Sequence, residues 1–159
     1  MVNYQDMPLM EITLRRYESP HNLSYRDALK KLCLALGLLQ PGDSRDVIVD
    51  ILLVLEKAKD RKILLTTEDI TNEVIEYRKK NELSLKGTAE SNIRRQIKRL
   101  RDKFLVEKIK NRYRILENLT FREIFDTKIK KFILEPTILR IGEYLDYYER
   151  KKEESKNEF

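Results

Sequence analysis

Eleven cations fall within twenty-nine residues of this chain: Lys86, Arg94, Arg95, Lys98, Arg99, Arg101, Lys103, Lys108, Lys110, Arg112 and Arg114. Only Glu90, Asp102 and Glu107 oppose them, so the segment carries +8 against +6 for the whole chain, and everything outside it is net acidic. Side chains of these types at this density neutralise a polyanion, because each phosphate met by Lys or Arg releases condensed counterions. Within the segment the apolar period changes from helical to strand-like, which predicts a basic helix followed by a basic hairpin.

The helix is expected from Thr88 to Lys103. Thr88 follows the breaker Gly87 and is a good N-cap, with Ser91 three residues on. Ile93, Ile97, Leu100 and Phe104 recur at spacings of four, three and four, one inward stripe. Thr88, Ser91, Arg94, Arg95, Lys98 and Arg99 fall on the opposite side, with Asn92 at its edge. Such side chains offer the donors and acceptors that read base edges and grip phosphates in a major groove. A solvated basic face is the plain alternative, but the following hairpin carries the same charge. There Leu105, Ile109, Tyr113 and Ile115 share one parity, and Lys108, Lys110, Arg112 and Arg114 the other. A three-residue loop, Lys110-Asn111-Arg112, would set Ile109 opposite Tyr113 and leave a row of four cations on the outer face or tip.

These residues resemble the winged-helix family, a variant of the helix-turn-helix DNA-binding domain. Asp46 to Glu56 resembles its apolar first helix, Ile63-Leu-Leu-Thr66 its short strand, and Thr67 to Ile75 its second helix, with Thr67 as N-cap and Ile70, Val74 and Tyr77 facing inward. Thr88 to Lys103 is similar to the recognition helix, and Leu100 to Lys108, closed by Asn111 to Ile115, to the wing. The resemblance covers about half the chain and implies double-stranded DNA as partner. The recognition helix would bind through Thr88, Ser91, Asn92, Arg94, Arg95, Lys98 and Arg99. The wing would bind through Lys108, Lys110, Asn111, Arg112 and Arg114. Two departures stand out: the turn Lys79 to Gly87 is longer than usual, and Phe104 stands where the family often has Gly.

The expected fold is mainly α with a small β-hairpin wing: an N-terminal extension over 1–42, a winged-helix domain over 43–117, C-terminal helices over 118–152 and a frayed tail over 153–159. In the extension, Leu9 to Tyr17 alternates like a strand, and Ser24 can cap a helix with Ala28, Leu29, Leu32 and Leu36 inside and Gly37 as its stop. Gln40-Pro-Gly-Asp43 is a turn. After the wing, Thr120 can cap a helix carrying Phe121, Ile124, Phe125, Ile129 and Phe132, and Pro136 can open another. Ile138, Ile141, Leu145 and Tyr148 form a stripe on the latter, with Tyr144 beside it. A terminal amphipathic helix beside a winged helix resembles a dimerisation element, so a homodimer is expected; the alternative is a cover over the chain's own N-terminal helix.

Charged residues at 38% and hydrophobic ones at 41% describe a folded, surface-charged protein; abundant Lys, Glu, Ile and Leu with three Gln is thermophile-like. No apolar run is long enough to cross a bilayer and the start lacks a signal-peptide pattern, so a cytoplasmic protein is expected. The single cysteine, Cys33, sits in an apolar run as core filler, and His21 has no metal-ligand spacing around it. There is no Gly-rich phosphate loop, GxSxG, HExxH or Cys/His cluster. The expectation is therefore no enzyme, no cofactor and no metal, but an archaeal-like or prokaryotic transcriptional regulator that also meets the transcription machinery. The competing expectation is a winged-helix module that binds RNA or a protein within a larger assembly.

Overall fold

The structure, a computed structural model, describes residues 4–158. Residues 1–3 of the expected start, and Phe159 of the expected tail, lie outside the described residues. The chain is mainly helical with one two-stranded antiparallel hairpin. It divides into two compact units: Ile12–Phe121, and the residues up to Glu11 with those from Arg122 on.

In the first unit the elements are α1 (Tyr25–Ala35), α2 (Val47–Asp60), α3 (Thr67–Lys80), α4 (Glu90–Asp102), β1 (Val106–Ile109) and β2 (Arg112–Ile115). Helix α2 is the axis of the core. Its residues from Val47 to Leu55 are all buried, and α1, α3, α4 and β2 pack on it. Ser24 caps α1 as expected, accepting from the Asp27 amide at 3.1 Å. The inward face of α1, however, is Leu29, Cys33 and Leu36, with Ala28 and Leu32 exposed. Cys33 is 1% exposed, and burial pushes its thiol up to about 12. The expected strand over Leu9–Tyr17 is absent. The chain there is irregular, and from Ile12 on it runs along the end of α1, where Arg15 donates its amide to Ala35 and its guanidinium to the Leu34 carbonyl.

All four helices of this unit stop in the same way. The residue after the C-cap has positive φ, and the amide of the next residue returns to a carbonyl five positions back: Leu38 to Cys33, Ile63 to Ala58, Leu83 to Arg78 and Leu105 to Leu100. Gly37 fills the left-handed position after α1, and a Cβ there would sit 2.3 Å from the Thr13 carbonyl oxygen. The other three positions hold Lys62, Glu82 and Phe104. Thus Phe104, which stands where the resemblance expects Gly, adopts the conformation that favours Gly, at φ +64°.

An ionic cluster joins three helices. Arg78, 1% exposed, donates to Asp46 and Asp50; Arg26 donates to Asp50 at 2.9 and 3.1 Å and to Asp46 at 3.2 Å; Lys30 reaches Asp46 at 3.1 Å. Burial alone would raise the Asp46 carboxyl, but hydrogen bonds and charge from Lys30, Arg26 and Arg78 overcome it and hold the group below its ordinary range.

The second unit takes up the chain within α5 (Phe121–Ile124), whose first residue belongs to the first unit, and passes through wide π-helical turns over Phe125–Leu134 into α6 (Glu135–Ser155). Helix α6 opens with Pro136 in its first turn, as expected, but the π-helical turns run into it without a break. In that first turn the Thr137 hydroxyl also donates to the Ile133 carbonyl four residues back, at 2.5 Å. The buried residues Ile124, Ile129 and Ile133 are spaced five and four apart, following the wider turn, so Phe132 of the expected stripe is 53% exposed. The expected frayed tail is helical to Ser155, with Lys151–Glu154 and Lys156–Glu153 pairs.

Candidate nucleic-acid interface

Helix α4 is held from two sides. Ile93, Ile97 and Leu100 are 0%, 1% and 0% exposed, and the helix packs on α2, α3 and β1. It begins at Glu90 rather than Thr88: Ala89 is the N-cap, without a side-chain cap. The Thr88 hydroxyl donates instead to the Leu85 carbonyl at 2.6 Å, closing the preceding turn. Gly87 in that turn has φ +85°, and a Cβ would meet Val47 Cγ2 at 3.1 Å and Asn92 Nδ2 at 3.2 Å. Only glycine lets the turn lie this close to the start of α2.

The expected recognition residues separate into two groups. Ser91, Arg94, Arg95 and Lys98 are exposed together with Arg101. Within this group Arg94 pairs with Glu90 at 2.7 Å and Lys98 with Asp102 at 3.4 Å. Both are exposed same-helix pairs, which contribute little and which a phosphate can replace. The side chains of Arg95 and Arg101 make no ion pair or hydrogen bond with another described residue. Asn92 and Arg99 belong to a different, half-buried edge. Asn92 donates to the Gly87 carbonyl at 2.7 Å, Gln96 donates to Asn92 at 3.2 Å, and Arg99 donates to Gln96 at 3.0 Å and to the Gly37 carbonyl at 3.4 Å. These two side chains tie α4 to the turn before it and to the end of α1.

The hairpin corrects the expected register. Its turn has two residues, Lys110 and Asn111, at φ +48° and +64°, and Ile109 faces Arg112 while Lys108 faces Tyr113. A turn with both central residues left-handed matches the strand twist, and the one-residue change reassigns the faces. Val106, Tyr113 and Ile115 turn inward on the same side as Lys108, whose ammonium lies 6.0 Å from the Tyr113 ring centre. Ile109, Arg112 and Arg114 share the other side with Glu107, which accepts from Arg114 at 2.5 Å. The expected row of four cations is therefore Lys110 at the tip, with Arg112 and Arg114 on the outer side and Lys108 beneath. Lys110 and Arg112 are exposed and have no ion-pair partner among the described residues. The expected strand at Ile63–Thr66 is reduced to Leu65, which exchanges both backbone hydrogen bonds with Tyr113 at 3.1 and 2.7 Å. The second helix starts one residue earlier than expected. Thr66 caps it and Asp69 closes the capping box; Asp69 is held below its ordinary carboxyl range by the Thr66 backbone and hydroxyl, with Arg112 adding to the effect. Arg78, not Tyr77, completes its buried face.

One cation was missed. Arg45 is exposed, its side chain has no described partner, and its Cβ lies 3.7 Å from where a Cβ on Gly87 would stand. It therefore flanks the turn into α4 beside the exposed Lys86, at the end of the helix opposite the hairpin. The sequence signal was a lone Arg between the Gln40–Asp43 turn and the first apolar helix. The expected dimer residues Ile138, Ile141, Tyr144, Leu145 and Tyr148 are all more than half exposed. Among the described residues, no group of three or more His, Cys, Asp or Glu is placed to hold a metal ion, and no helix is long and apolar enough to cross a membrane.

Comparison with family models, curated proteins and solved structures finds no match to this chain.

Proposed function

We propose that this chain is a winged-helix protein that binds double-stranded DNA and regulates transcription in the cytoplasm. The observation that carries the reading is the exposed face of α4. It presents Ser91, Arg94, Arg95, Lys98 and Arg101, while every large apolar residue of the helix is buried. A helix that docked on protein would be expected to leave apolar anchors outside; this one leaves donors suited to bases and phosphates. The order of elements supports the family reading: α2, α3 and α4 in succession, Leu65 bridged to β2, then the hairpin with Lys110 at its tip. In this reading α4 lies in the major groove, Arg95 reads bases, and Lys110 and Arg112 hold backbone or minor groove.

Titration of a labelled duplex across a salt series tests it. The expected result is binding whose log–log slope with salt is about −0.9 per phosphate neutralised. Binding that is absent at low salt, or independent of salt, would overturn the reading, and stronger binding to structured RNA than to any duplex DNA would replace it with an RNA-binding module.

A further inference from the structure

Helix α6 is 21 residues long, and none of its residues is buried. Ile138 is 69% exposed, Leu139 66%, Ile141 55%, Tyr144 70%, Leu145 60%, Tyr147 51% and Tyr148 60%. Single exposed apolar residues are ordinary, but a contiguous stripe marks an interaction surface. The spacing of this stripe is specific. Ile138, Ile141, Leu145 and Tyr148, with the half-buried Leu134 just before the helix, follow one another at intervals of four, three, four and three. That averages 3.5 residues per turn, the repeat by which two helices stay in contact along a shared seam. Tyr144 flanks the stripe on one side. Gly142 flanks it on the other, and a Cβ there would meet nothing within 4 Å.

We propose that this stripe is the seam of a homodimer, occupied by α6 of a second copy running antiparallel. The occupant follows from the repeat: a two-heptad seam is complementary to another of the same kind, and a two-fold pairing offers it without any further partner. Judged from the exposed fractions, the stripe with Tyr144 offers roughly 700 Å² per copy, close to the ~800 Å² each side contributes to a standard interface. The direction follows from Lys152, the next position of the repeat after Tyr148. In a parallel pair Lys152 would face the partner's Lys152, two like charges at the seam. In the antiparallel register that sets Leu145 against the partner's Ile141, Tyr148 meets the partner's Ile138. Lys152 then lies against the partner's Leu134, its aliphatic stem on the seam and its ammonium in water. This inference is independent of what the protein binds.

Light scattering after gel filtration, over a concentration series up to several hundred micromolar, reads the assembly. The expected mass is twice the 19.1 kDa of the chain, falling to the single-chain value for Leu145→Glu, which should melt where the wild type does once diluted to monomer, because Leu145 is exposed within one copy. Leu139→Glu, on the opposite side of α6, is expected to stay dimeric. A wild-type monomer at the highest concentration, or equal loss of dimer in both variants, would overturn the seam. For direction, Cys33→Ser is the background: Lys152→Cys mixed with Leu134→Cys should cross-link under mild oxidation, and Lys152→Cys alone should not. Cross-linking of Lys152→Cys with itself would overturn the antiparallel register.

Discussion

Arg78 of α3 and Asp50 of α2, twenty-eight residues apart, meet as an ion pair with side chains 2% and 0% exposed. The pair is embedded in a cluster with Arg26, Lys30 and Asp46 that leaves no buried side-chain polar atom without a partner among the described residues. Its contribution lies less in attraction than in what remains if one member is lost. Arg78→Met would take the most buried cation from Asp46 and Asp50, leaving them only Arg26 and Lys30, and should lower unfolding stability by about 3 kcal/mol. Arg94→Ala, which breaks an exposed pair, should change it by less than about 1 kcal/mol. Urea denaturation of the two variants checks the contrast; equal small losses would show that the cluster is not closed to water.

The same cluster sets an acid limit. Asp46 has its folded-state carboxyl held low, so the unfolded chain takes up a proton at a higher pH than the folded one. The stability it confers is present above the unfolded value, about pH 3.9, and is lost as pH falls through the folded value. Asp69 is shifted the same way by its capping box and adds to the loss. Melting temperature should be flat down to about pH 4.5 and decline steeply below about pH 4. In Asp46→Asn the decline should be shallower and start from a lower plateau.

Lys62 and Glu82 occupy left-handed positions in which a side chain is strained, and both are exposed. Lys62→Gly and Glu82→Gly should each raise stability by about 0.5–1 kcal/mol, the relief of strain exceeding the extra freedom of Gly in the unfolded chain. Phe104→Gly should gain less, since the half-buried ring is lost with the strain. Denaturant midpoints of the three variants give the ranking.

The cations of the interface should separate by role. Arg95→Ala is expected to relax sequence preference and cost about 1–3 kcal/mol of binding if its guanidinium meets a guanine. Lys110→Ala, Arg112→Ala and Arg45→Ala should each weaken binding to specific and random duplexes alike and make the salt slope shallower by about one. Arg99→Ala should instead act on stability, because its side chain is spent on Gln96 and the Gly37 carbonyl. Competition binding with both kinds of duplex, beside melting curves, assigns each residue. A change of sequence preference in Arg112→Ala alone would exchange the roles of helix and hairpin.

Much of this was legible because the cues were local. Ser24 and Gly37 bound α1 through capping chemistry, and the spacing of Ile93, Ile97 and Leu100 fixed the inward face of α4. Other features needed information that lies elsewhere in the chain. The face of α1 turned because α2 packs on Leu29 and Cys33, leaving Leu32 outside. Asn111 signalled a turn, but nothing about Lys110 announces a left-handed backbone, so the register came out one residue long. Nothing local to Asp46 and Asp50, two acids in an apolar helix, shows that Arg26 and Arg78 from two other helices close over them. In the candidate site the charge of the segment located the helix and hairpin. It could not tell the open Arg95 from the tethered Arg99, nor find Arg45, which joins them only through the close approach at Gly87.

The burial of Cys33 gives the molecule a clock of its own. Reactivity belongs to the thiolate, and this thiol is both shielded from solvent and pushed far from ionisation. A thiol reagent added to the folded protein therefore waits for the interior around α1 to open, while the unfolded chain reacts at once. Since the sequence holds no other cysteine, the rate of modification reports a single event at a single address. Followed against reagent concentration, it separates how often that opening occurs from how long it lasts, without any label being introduced.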